Sequence, residues 1–357
     1  MFRFNLKKAK FWILYSVIFI ILAFFTLEGA ARLLKLAPKL TIRTLGGHGG
    51  CSKDKYLPYK STPFRKDHAV NDEFEVYYEF NSVGFRDVEH SFKKPEGVFR
   101  ILGLGDSFTE GAGANFEDTY LFRLEEMLNS REGDHPNIEI IKAGTGGYSP
   151  ESERLMLQHY GVKYHPDLIL VGFLANDVYD AYVGLGARTV SEDGYLTTNE
   201  AAQLGRIGKW LFIHSHLFRI ALTKYVNNQI KMKYDIEWAE VWYENLRSDK
   251  AWRVIDKEFS KMKKIAEQIG ANIVFVHIPQ QPNPIKGWGK EMTYPAFKLY
   301  EWCKKRKVHF LDITPEMSKR FGKKQLYHRK DGHCNAEGYK VVAETTFTEL
   351  INKELVP

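Results

Sequence analysis

The chain has 357 residues, of which 44% are hydrophobic and 27% are charged, a composition ordinary for a globular protein with a full core. Its formal charge of +7 is a mild basic excess that suits an anionic membrane face or an acidic polymer. The basic residues are scattered without a compact basic helix, so we expect no nucleic-acid partner. The three cysteines have no metal-binding spacing, so we expect no metal. We also expect no cofactor.

The N-terminus carries a predicted membrane anchor. Residues 1–10 form a basic segment, and residues 11–27 are uncharged and almost wholly apolar. With the milder stretch to residue 34, the segment approaches the roughly 20 residues that span a bilayer. A cleaved signal peptide is the competing interpretation, but its apolar region is usually shorter and precedes a small-residue cleavage site. We therefore predict a single-pass anchor over residues 11–34.

The orientation of this anchor rests on a small difference in charge. Four basic residues precede the span and four follow it: Arg3, Lys7, Lys8 and Lys10, then Arg32, Lys35, Lys39 and Arg43. The terminal amine tips the balance toward a cytoplasmic N-terminus. The sequence thus predicts that the bulk of the protein lies outside the cytoplasm.

The next predicted elements are a linker and then a repeating α/β pattern. Residues 35–95 contain a glycine-rich linker and a short β segment at residues 73–80. From residue 96 to residue 355, short apolar strands alternate with amphipathic helices. The predicted strands cover residues 99–104, 138–141, 168–173, 273–278 and 308–313. This alternation predicts one α/β domain with a central parallel sheet.

Several helix boundaries are marked in the sequence. Ser149 followed by Pro150 is typical of a helix start, and Asn335 is a cap residue before the last predicted helix. The apolar residues between 252 and 269 keep one helical face, and Gly270 supplies the stop.

Residues 179–250 interrupt the pattern. They are rich in aromatic residues and helical in character. We interpret them as an inserted helical cap beside the site. The alternative is a segment that rests on the membrane surface.

Four motifs at the ends of predicted strands carry residue types that acyl-transfer chemistry requires. They are Gly105-Asp106-Ser107, Gly147, Asn176-Asp177 and Asp331-Gly332-His333. Sites in parallel sheets gather beyond the carboxyl ends of the strands, where all four motifs lie. Each motif alone has an ordinary structural explanation as a helix cap or a tight turn. Their shared placement favours a common site.

The motifs suggest complementary roles. Ser107 is the candidate nucleophile, and its N–H, the Gly147 N–H and the Asn176 amide are candidate oxyanion donors. His333 is the candidate general base, because a neutral imidazole can take the serine proton and return it to the leaving group. Asp331 is the carboxylate that would fix the histidine tautomer.

These motifs resemble the sequence blocks of the SGNH (GDSL-type) hydrolases. Residues 105–111 resemble the first block, 144–147 the second, 176–177 the third and 331–338 the last. Residues 81–87, with the sequence NSVGFRD, resemble a stretch found ahead of the first block in membrane-anchored bacterial members. The resemblance covers residues 80–350 apart from the insertion.

The resemblance implies a fold and a site. The fold would be a three-layer α/β/α sandwich, flavodoxin-like, with about five parallel strands. Ser107 would be the nucleophile, His333 the base and Asp331 its orienting carboxylate, with Ser107, Gly147 and Asn176 forming the oxyanion hole. The sequence departs from the family pattern at three places: Lys142 replaces Asn, Leu174 replaces Gly, and Asp331 is two residues before the histidine rather than three.

The predicted function is a membrane-anchored serine esterase that hydrolyses O-acetyl or short acyl esters. Its substrate would be an acylated small molecule or a cell-surface polysaccharide. A polysaccharide O-acetyltransferase using the same site is an open alternative that product analysis would distinguish.

Two other classes of protein remain open. A metal-dependent phosphoesterase could use Asp106, Asn176, His277 and His333 as ligands, but the first strand lacks the usual Asp-x-His. A non-catalytic surface binding module is the other, and an activity assay would test it.

Overall fold

A computed structural model describes residues 6–37, 50–70, 72–184, 188–190, 196–198, 205–222, 224–225, 246–282 and 288–357. The chain divides into two compact units. The first unit comprises Met1–Gly47 and Thr197–Glu237, and the second comprises His48–Leu196 and Trp238–Pro357.

The described strands and helices are numbered in chain order. The strands are β1 (Cys51–Ser52), β2 (Lys60–Ser61), β3 (Lys66–Val70), β4 (Glu75–Glu79), β5 (Val98–Leu104), β6 (Asn137–Lys142), β7 (Leu168–Phe173), β8 (Arg188–Val190), β9 (Leu196–Thr198), β10 (Asn272–His277) and β11 (His309–Asp312). The α-helices are α1 (Leu6–Leu33), α2 (Ser107–Glu110), α3 (Tyr120–Asn129), α4 (Pro150–His159), α5 (Ala175–Val183), α6 (Gly205–His214), α7 (Asp249–Ile269), α8 (Lys290–Arg306), α9 (Thr314–Arg320) and α10 (Ala336–Asn352).

The first unit contains the apolar helix α1. Its stretch Phe11–Leu33 contains an 18-residue window with a mean hydropathy of 2.2. Within the described ranges it is the one helix long and apolar enough to cross a membrane. A retained anchor and a signal sequence share this character.

The second unit is built on a five-stranded parallel sheet. The strand order is β11-β10-β7-β5-β6, and each neighbouring pair is parallel. After β5 the chain adds β6 on one side and then β7 on the other. Ligands in such sheets bind beyond the carboxyl ends of the strands where the order reverses, and here that point lies next to β5. The sheet confirms the predicted flavodoxin-like α/β fold.

Helices cover both faces of the sheet, which gives three layers, and an apolar cluster joins the sheet to the helices on each face. Neighbouring residues of β5 point to opposite faces, so Leu102 belongs to one cluster and Ile101 to the other. The first cluster joins the sheet to α4, α7 and α8, with Phe259 among its members. The second joins it to α3 and α10, with Leu124 among its members. β7 is buried along its whole length, as expected for a central parallel strand.

The predicted helix caps are confirmed. The Ser149 side chain accepts a hydrogen bond from the Ser152 N–H at the start of α4. Asn335 accepts one from the Gly338 N–H at the start of α10. Gly270 ends α7 in the left-handed conformation, with φ of 71°. These boundaries were readable because each depends on side chains adjacent in sequence.

Candidate active site

Ser107 lies in a tight turn directly after β5. Gly105 adopts φ of 151°, and a Cβ there would meet the Thr109 Oγ1 at 2.2 Å, so only glycine fits. Asp106 caps α2 by accepting the Phe108 N–H at 2.9 Å. The turn therefore presents Ser107 as the first residue of a short helix at the carboxyl edge of the sheet.

His333 faces the serine from the loop before α10. Its Nε2 lies 2.8 Å from the Ser107 Oγ. Its Nδ1 hydrogen-bonds the Asp331 Oδ1, and this carboxylate is 4% exposed. An ionised carboxylate only accepts, so Nδ1 carries the proton and Nε2 is left to accept from the serine hydroxyl. The structure thus brings together all three residues of the predicted triad.

The two-residue spacing of Asp331 and His333 depends on the glycine between them. Gly332 adopts φ of 87°, which bends the backbone so that the two side chains meet. The Phe108 ring lies 4.9 Å from the His333 ring, centroid to centroid. The imidazole is therefore held by contacts on both its Asp331 side and its ring face.

The glycine-rich loop after β6 packs directly against the serine turn. A Cβ at Gly144 would meet the backbone of Thr109 and Glu110 at 2.5 Å, so the two segments touch at the backbone. The Thr145 N–H donates to the Gly105 carbonyl at 3.0 Å. Gly147 follows with φ of 78°. The loop that carries Gly147 is thereby fixed beside Ser107.

Asn176, in the first turn of α5, is held through Asp106. Its Nδ2 donates to the Asp106 Oδ2 at 2.6 Å, and its Oδ1 accepts from the Gln280 Nε2 at 3.3 Å. One carboxylate therefore both caps the serine helix and orients the candidate oxyanion amide. The sequence contained Asp106 within the first motif, but its second partner is 70 positions away and gave no local signal.

The stretch at residues 81–87 supports the loop that follows the serine helix. The Arg86 guanidinium is buried and donates to the carbonyls of Gly111 at 2.7 Å and Ala114 at 2.8 Å. Asp87 lies 3.3 Å from the Lys142 Nζ, which also pairs with Glu125 at 2.6 Å. Lys142, one of the departures from the family pattern, is therefore part of a buried ion-pair cluster.

Glu73 was not predicted, and its carboxylate binds the backbone of the loop that carries Asp331. Its carboxylate accepts the backbone N–H groups of Lys330 and Asp331, each at 2.9 Å. Desolvation opposes the effect, but these donors and the Arg329 N–H lower the pKa of Glu73. No sequence signal linked Glu73 to a loop more than 250 positions away.

Replacing Glu73 by alanine is expected to reduce kcat by up to about 10²-fold with a smaller change in KM, because the Asp331 loop loses its backbone acceptor. Steady-state kinetics with a short-chain ester would measure this. Glu79→Ala is the matched control, since Glu79 pairs only with the exposed Lys66 among the contacts described. Equal kcat values for the two variants would contradict the positioning role.

Two buried carboxyl groups lie near the site without being part of the triad. Glu153 is 1% exposed, and neither of its oxygens has a hydrogen-bond partner among the described residues. Burial raises the pKa of Glu153 well above its usual range, and the charge of Asp106 adds to the effect. Burial and the neighbouring Glu153 raise the pKa of Asp177 in the same way. Both carboxyl groups therefore stay protonated at pH values above the pKa range of an ordinary carboxyl group.

This arrangement predicts a pH-dependent stability difference for Glu153→Gln. The folded state keeps a proton that the unfolded state releases above about pH 4.3, so wild-type stability falls as the pH rises. Glutamine cannot ionise. As the pH rises, the free energy of unfolding of the variant should therefore increase relative to that of wild type by at most about 1.4 kcal/mol per pH unit. Urea titrations at pH 5 and pH 8 would measure the gain. The exposed Glu126→Gln serves as the control, and a pH-independent difference for Glu153→Gln would refute the assignment.

The candidate metal ligands do not form a cluster in the part of the chain that the structure describes. His277 Nδ1 lies 3.0 Å from the Asp312 Oδ1, and Asp106 contacts Asn176. No group of three or more His, Cys, Asp or Glu side chains among the described residues could hold a metal ion.

Comparison with known proteins gives a family match and several similar folds. The model of the GDSL-like lipase/acylhydrolase family matches residues 104–341. No curated protein matches the chain. One similar solved structure is a catalytic mutant of an acetylxylan esterase from Geobacillus stearothermophilus, with 12% identity, 71% of this chain and 94% of that chain covered, and a TM-score of 0.44. Another is a lipolytic protein of the G-D-S-L family from Veillonella parvula, with 13% identity, coverages of 71% and 99%, and a TM-score of 0.42. A two-domain esterase active on acetylated mannans has 14% identity, coverages of 72% and 50%, and a TM-score of 0.42.

Proposed function

Because this chain belongs to the GDSL-like lipase/acylhydrolase family and acts on ester bonds, we propose that it hydrolyses short acyl esters through an acyl-enzyme on Ser107. The observation that carries the proposal is the 2.8 Å distance between the Ser107 Oγ and the His333 Nε2, residues 226 positions apart in sequence. The other nitrogen of this imidazole bonds the Asp331 carboxylate, and a hydroxyl, an imidazole and a carboxylate in sequence are the arrangement that activates a nucleophile, so the contact supports the proposal.

The reaction follows from the two nitrogens of the imidazole. His333 Nε2 takes the proton from the Ser107 Oγ as that oxygen attacks the ester carbonyl carbon. Asp331 stabilises the imidazolium through Nδ1. The imidazolium then gives its proton to the departing alkoxide, which leaves an acyl-serine. Water, activated by the same imidazole, attacks the acyl-serine and releases the carboxylic acid.

The negative charge of the tetrahedral intermediate is stabilised by three donors. These are the Ser107 N–H, the Gly147 N–H and one hydrogen of the Asn176 amide. Asn176 Nδ2 has two hydrogens, and its bond to Asp106 uses one of them. Among the described residues the second hydrogen has no acceptor, and it would donate to the oxyanion in an orientation that Asp106 and Gln280 fix before substrate arrives.

The proposed substrate is an O-acetyl or short acyl ester, carried by a cell-surface polysaccharide. The support is the location proposed for the enzyme: α1 is a retained single-pass anchor, its N-terminus is cytoplasmic, and the hydrolase domain faces outward. The apolar stretch Phe11–Leu33 supports the anchor. Four basic residues lie on each side of residues 11–27, so the outward orientation is part of the proposal and does not follow from their distribution. The formal charge of +7 suits an acidic polymer or membrane face nearby.

Product analysis tests the proposal and separates hydrolysis from acyl transfer. The purified full chain is incubated with an O-acetylated polysaccharide, and acetate release is measured. A second incubation supplies an acetyl donor and a deacetylated polysaccharide. We expect acetate release that disappears in Ser107→Ala and no acetyl gain on the acceptor. Acetylated polysaccharide in the second incubation would instead identify an O-acetyltransferase, and inertness in both would favour a binding module.

A further inference from the structure

The apolar helix α1 is tied to the inserted segment through a buried carboxylate. Glu28, on α1, is 8% exposed. It accepts hydrogen bonds from the Ser215 Oγ at 2.9 Å, the His216 N–H at 2.8 Å and the Leu217 N–H at 2.9 Å. Arg32 pairs with Glu28 at 2.8 Å. All these residues belong to the first compact unit, so the tie lies within one body.

The position of Glu28 along α1 places this tie at a membrane boundary. Residues 11–27 are uncharged and precede it directly. At about 1.5 Å per residue these 17 residues span roughly 25 Å, close to the roughly 30 Å hydrocarbon thickness of a bilayer. A carboxylate at the edge of the hydrocarbon region is unfavourable in free energy unless it is paired. Glu28 is paired with three hydrogen-bond donors and a guanidinium. The residues that satisfy Glu28 must therefore stay at the same boundary.

Helix α6 ends immediately before this contact and has an apolar exposed face. Ile207 is 77% exposed and Trp210 is 59% exposed, and three residues separate them, so they share one face. The His214 ring lies one turn further on, 4.9 Å from the Trp210 ring. Its carbonyl accepts a hydrogen bond from Arg32 of α1. The end of α6 is thus bonded to α1 one turn beyond Glu28, and the exposed Trp210 ring contacts the residue that makes this bond.

The composition of α6 matches a helix that lies in a membrane interface. Its sequence, GRIGKWLFIH, contains two basic residues and no acidic one. Tryptophan favours the headgroup level, and basic residues favour anionic lipids. Single exposed apolar residues are common on soluble proteins. An exposed Ile–Trp pair on one face of a basic helix, beside a membrane boundary, is instead typical of a helix that lies in a membrane interface.

We propose that α6 lies on the bilayer beside α1, with Ile207 and Trp210 inserted at the boundary between headgroups and acyl chains. The partner is an anionic phospholipid surface. This goes beyond ester hydrolysis and rests only on retention of α1 in the membrane. It assigns residues 205–214 to the membrane-surface alternative for the inserted segment rather than to a cap.

Lipid quenching of a probe on α6 tests the proposal. The full chain is reconstituted in vesicles of phosphatidylcholine and phosphatidylglycerol, with an environment-sensitive fluorophore on Ile207→Cys. We expect quenching by spin-labelled lipid and protection from aqueous iodide. The matched control is Phe297→Cys on α8, also an exposed apolar site, which measures iodide access to a probe in the second unit. A probe at position 207 as open to iodide as the one at 297 would overturn the proposal.

Two further variants separate the possible causes of failure. A probe on Ile18→Cys reports whether α1 is inserted, and its failure to be quenched by lipid would also overturn the proposal. Glu28→Ala should remove most of the lipid quenching at position 207, because the backbone donors lose their acceptor. Thr26→Ala should leave it unchanged, since within the described part of the chain the Thr26 hydroxyl bonds only the Leu22 carbonyl of its own helix. Ester hydrolysis measured on the same vesicles reports on the proposed activity independently.

Discussion

Replacing Ser107 by alanine is expected to lower the hydrolysis of p-nitrophenyl acetate by at least about 10⁴-fold while the fold is kept. The hydroxyl is the atom that lies 2.8 Å from His333 Nε2, and alanine removes it without adding bulk. Initial rates of the full chain in detergent would measure the loss. The thermal unfolding midpoint should stay close to that of wild type, because the serine side chain is not part of the apolar core.

The control for this variant is Ser130→Ala. Ser130 is exposed at the end of α3, and the one bond of its hydroxyl among the residues described is to the Met127 carbonyl. It should retain wild-type turnover. If Ser107→Ala also kept wild-type turnover, the hydroxyl could not be the nucleophile, and the acyl-enzyme mechanism would have to be abandoned.

Replacing Asn176 by alanine is expected to lower kcat by about 10²–10³-fold with little change in KM, since the oxyanion donor acts mainly on the transition state. Steady-state kinetics over a range of ester concentrations would separate the two parameters. Asn352→Ala, at the exposed end of α10, is the control.

The Gln280→Ala variant refines this prediction. It removes the 3.3 Å bond to the Asn176 Oδ1 but leaves the bond to Asp106 at 2.6 Å. The loss in kcat should therefore be smaller than for Asn176→Ala. A larger loss for Gln280→Ala than for Asn176→Ala would contradict the assignment of the amide as the donor.

The central sheet was predictable because its signals are local. Each of the five strands is a short apolar run, and turn or cap residues stand at its end, as with Gly105 after β5 and Ser149 before α4. In a parallel sheet these ends meet at one edge, so the strand pattern alone implied that Ser107, Gly147 and Asn176 would be neighbours.

Helix α8 was missed because its sequence contains a breaker. Pro295 lies inside it, and proline removes a backbone donor that the helix interior normally uses. Here the proline is the sixth residue of a 17-residue helix, and buried side chains such as Leu299 and Cys303 hold the later turns against the core. Tertiary packing therefore outweighs the local signal. The hairpin of β3 and β4 was only half predicted, since β3 alternates exposed and half-buried residues without a clear apolar face.

The supporting residues of the site were beyond sequence reasoning for a different reason. Glu73, Arg86 and Gln280 act on partners that are far away in the chain, so no spacing rule connects them. The role of Asp331 was open because two-residue spacing requires a bend, and only the backbone angle of Gly332 decides it. Much of the predicted insertion at residues 179–250, including residues 226–245, lies outside the described residues, so its interpretation as a cap stays a prediction.

Labelling with a fluorophosphonate probe, followed by peptide mapping, tests the nucleophile most directly. Such probes react with a serine hydroxyl only when a neighbouring base activates it. We expect one adduct, on Ser107, which disappears when His333 is replaced by alanine. Ester hydrolysis by a chain that carries no adduct, or carries it on another residue, would show that Ser107 is not the nucleophile.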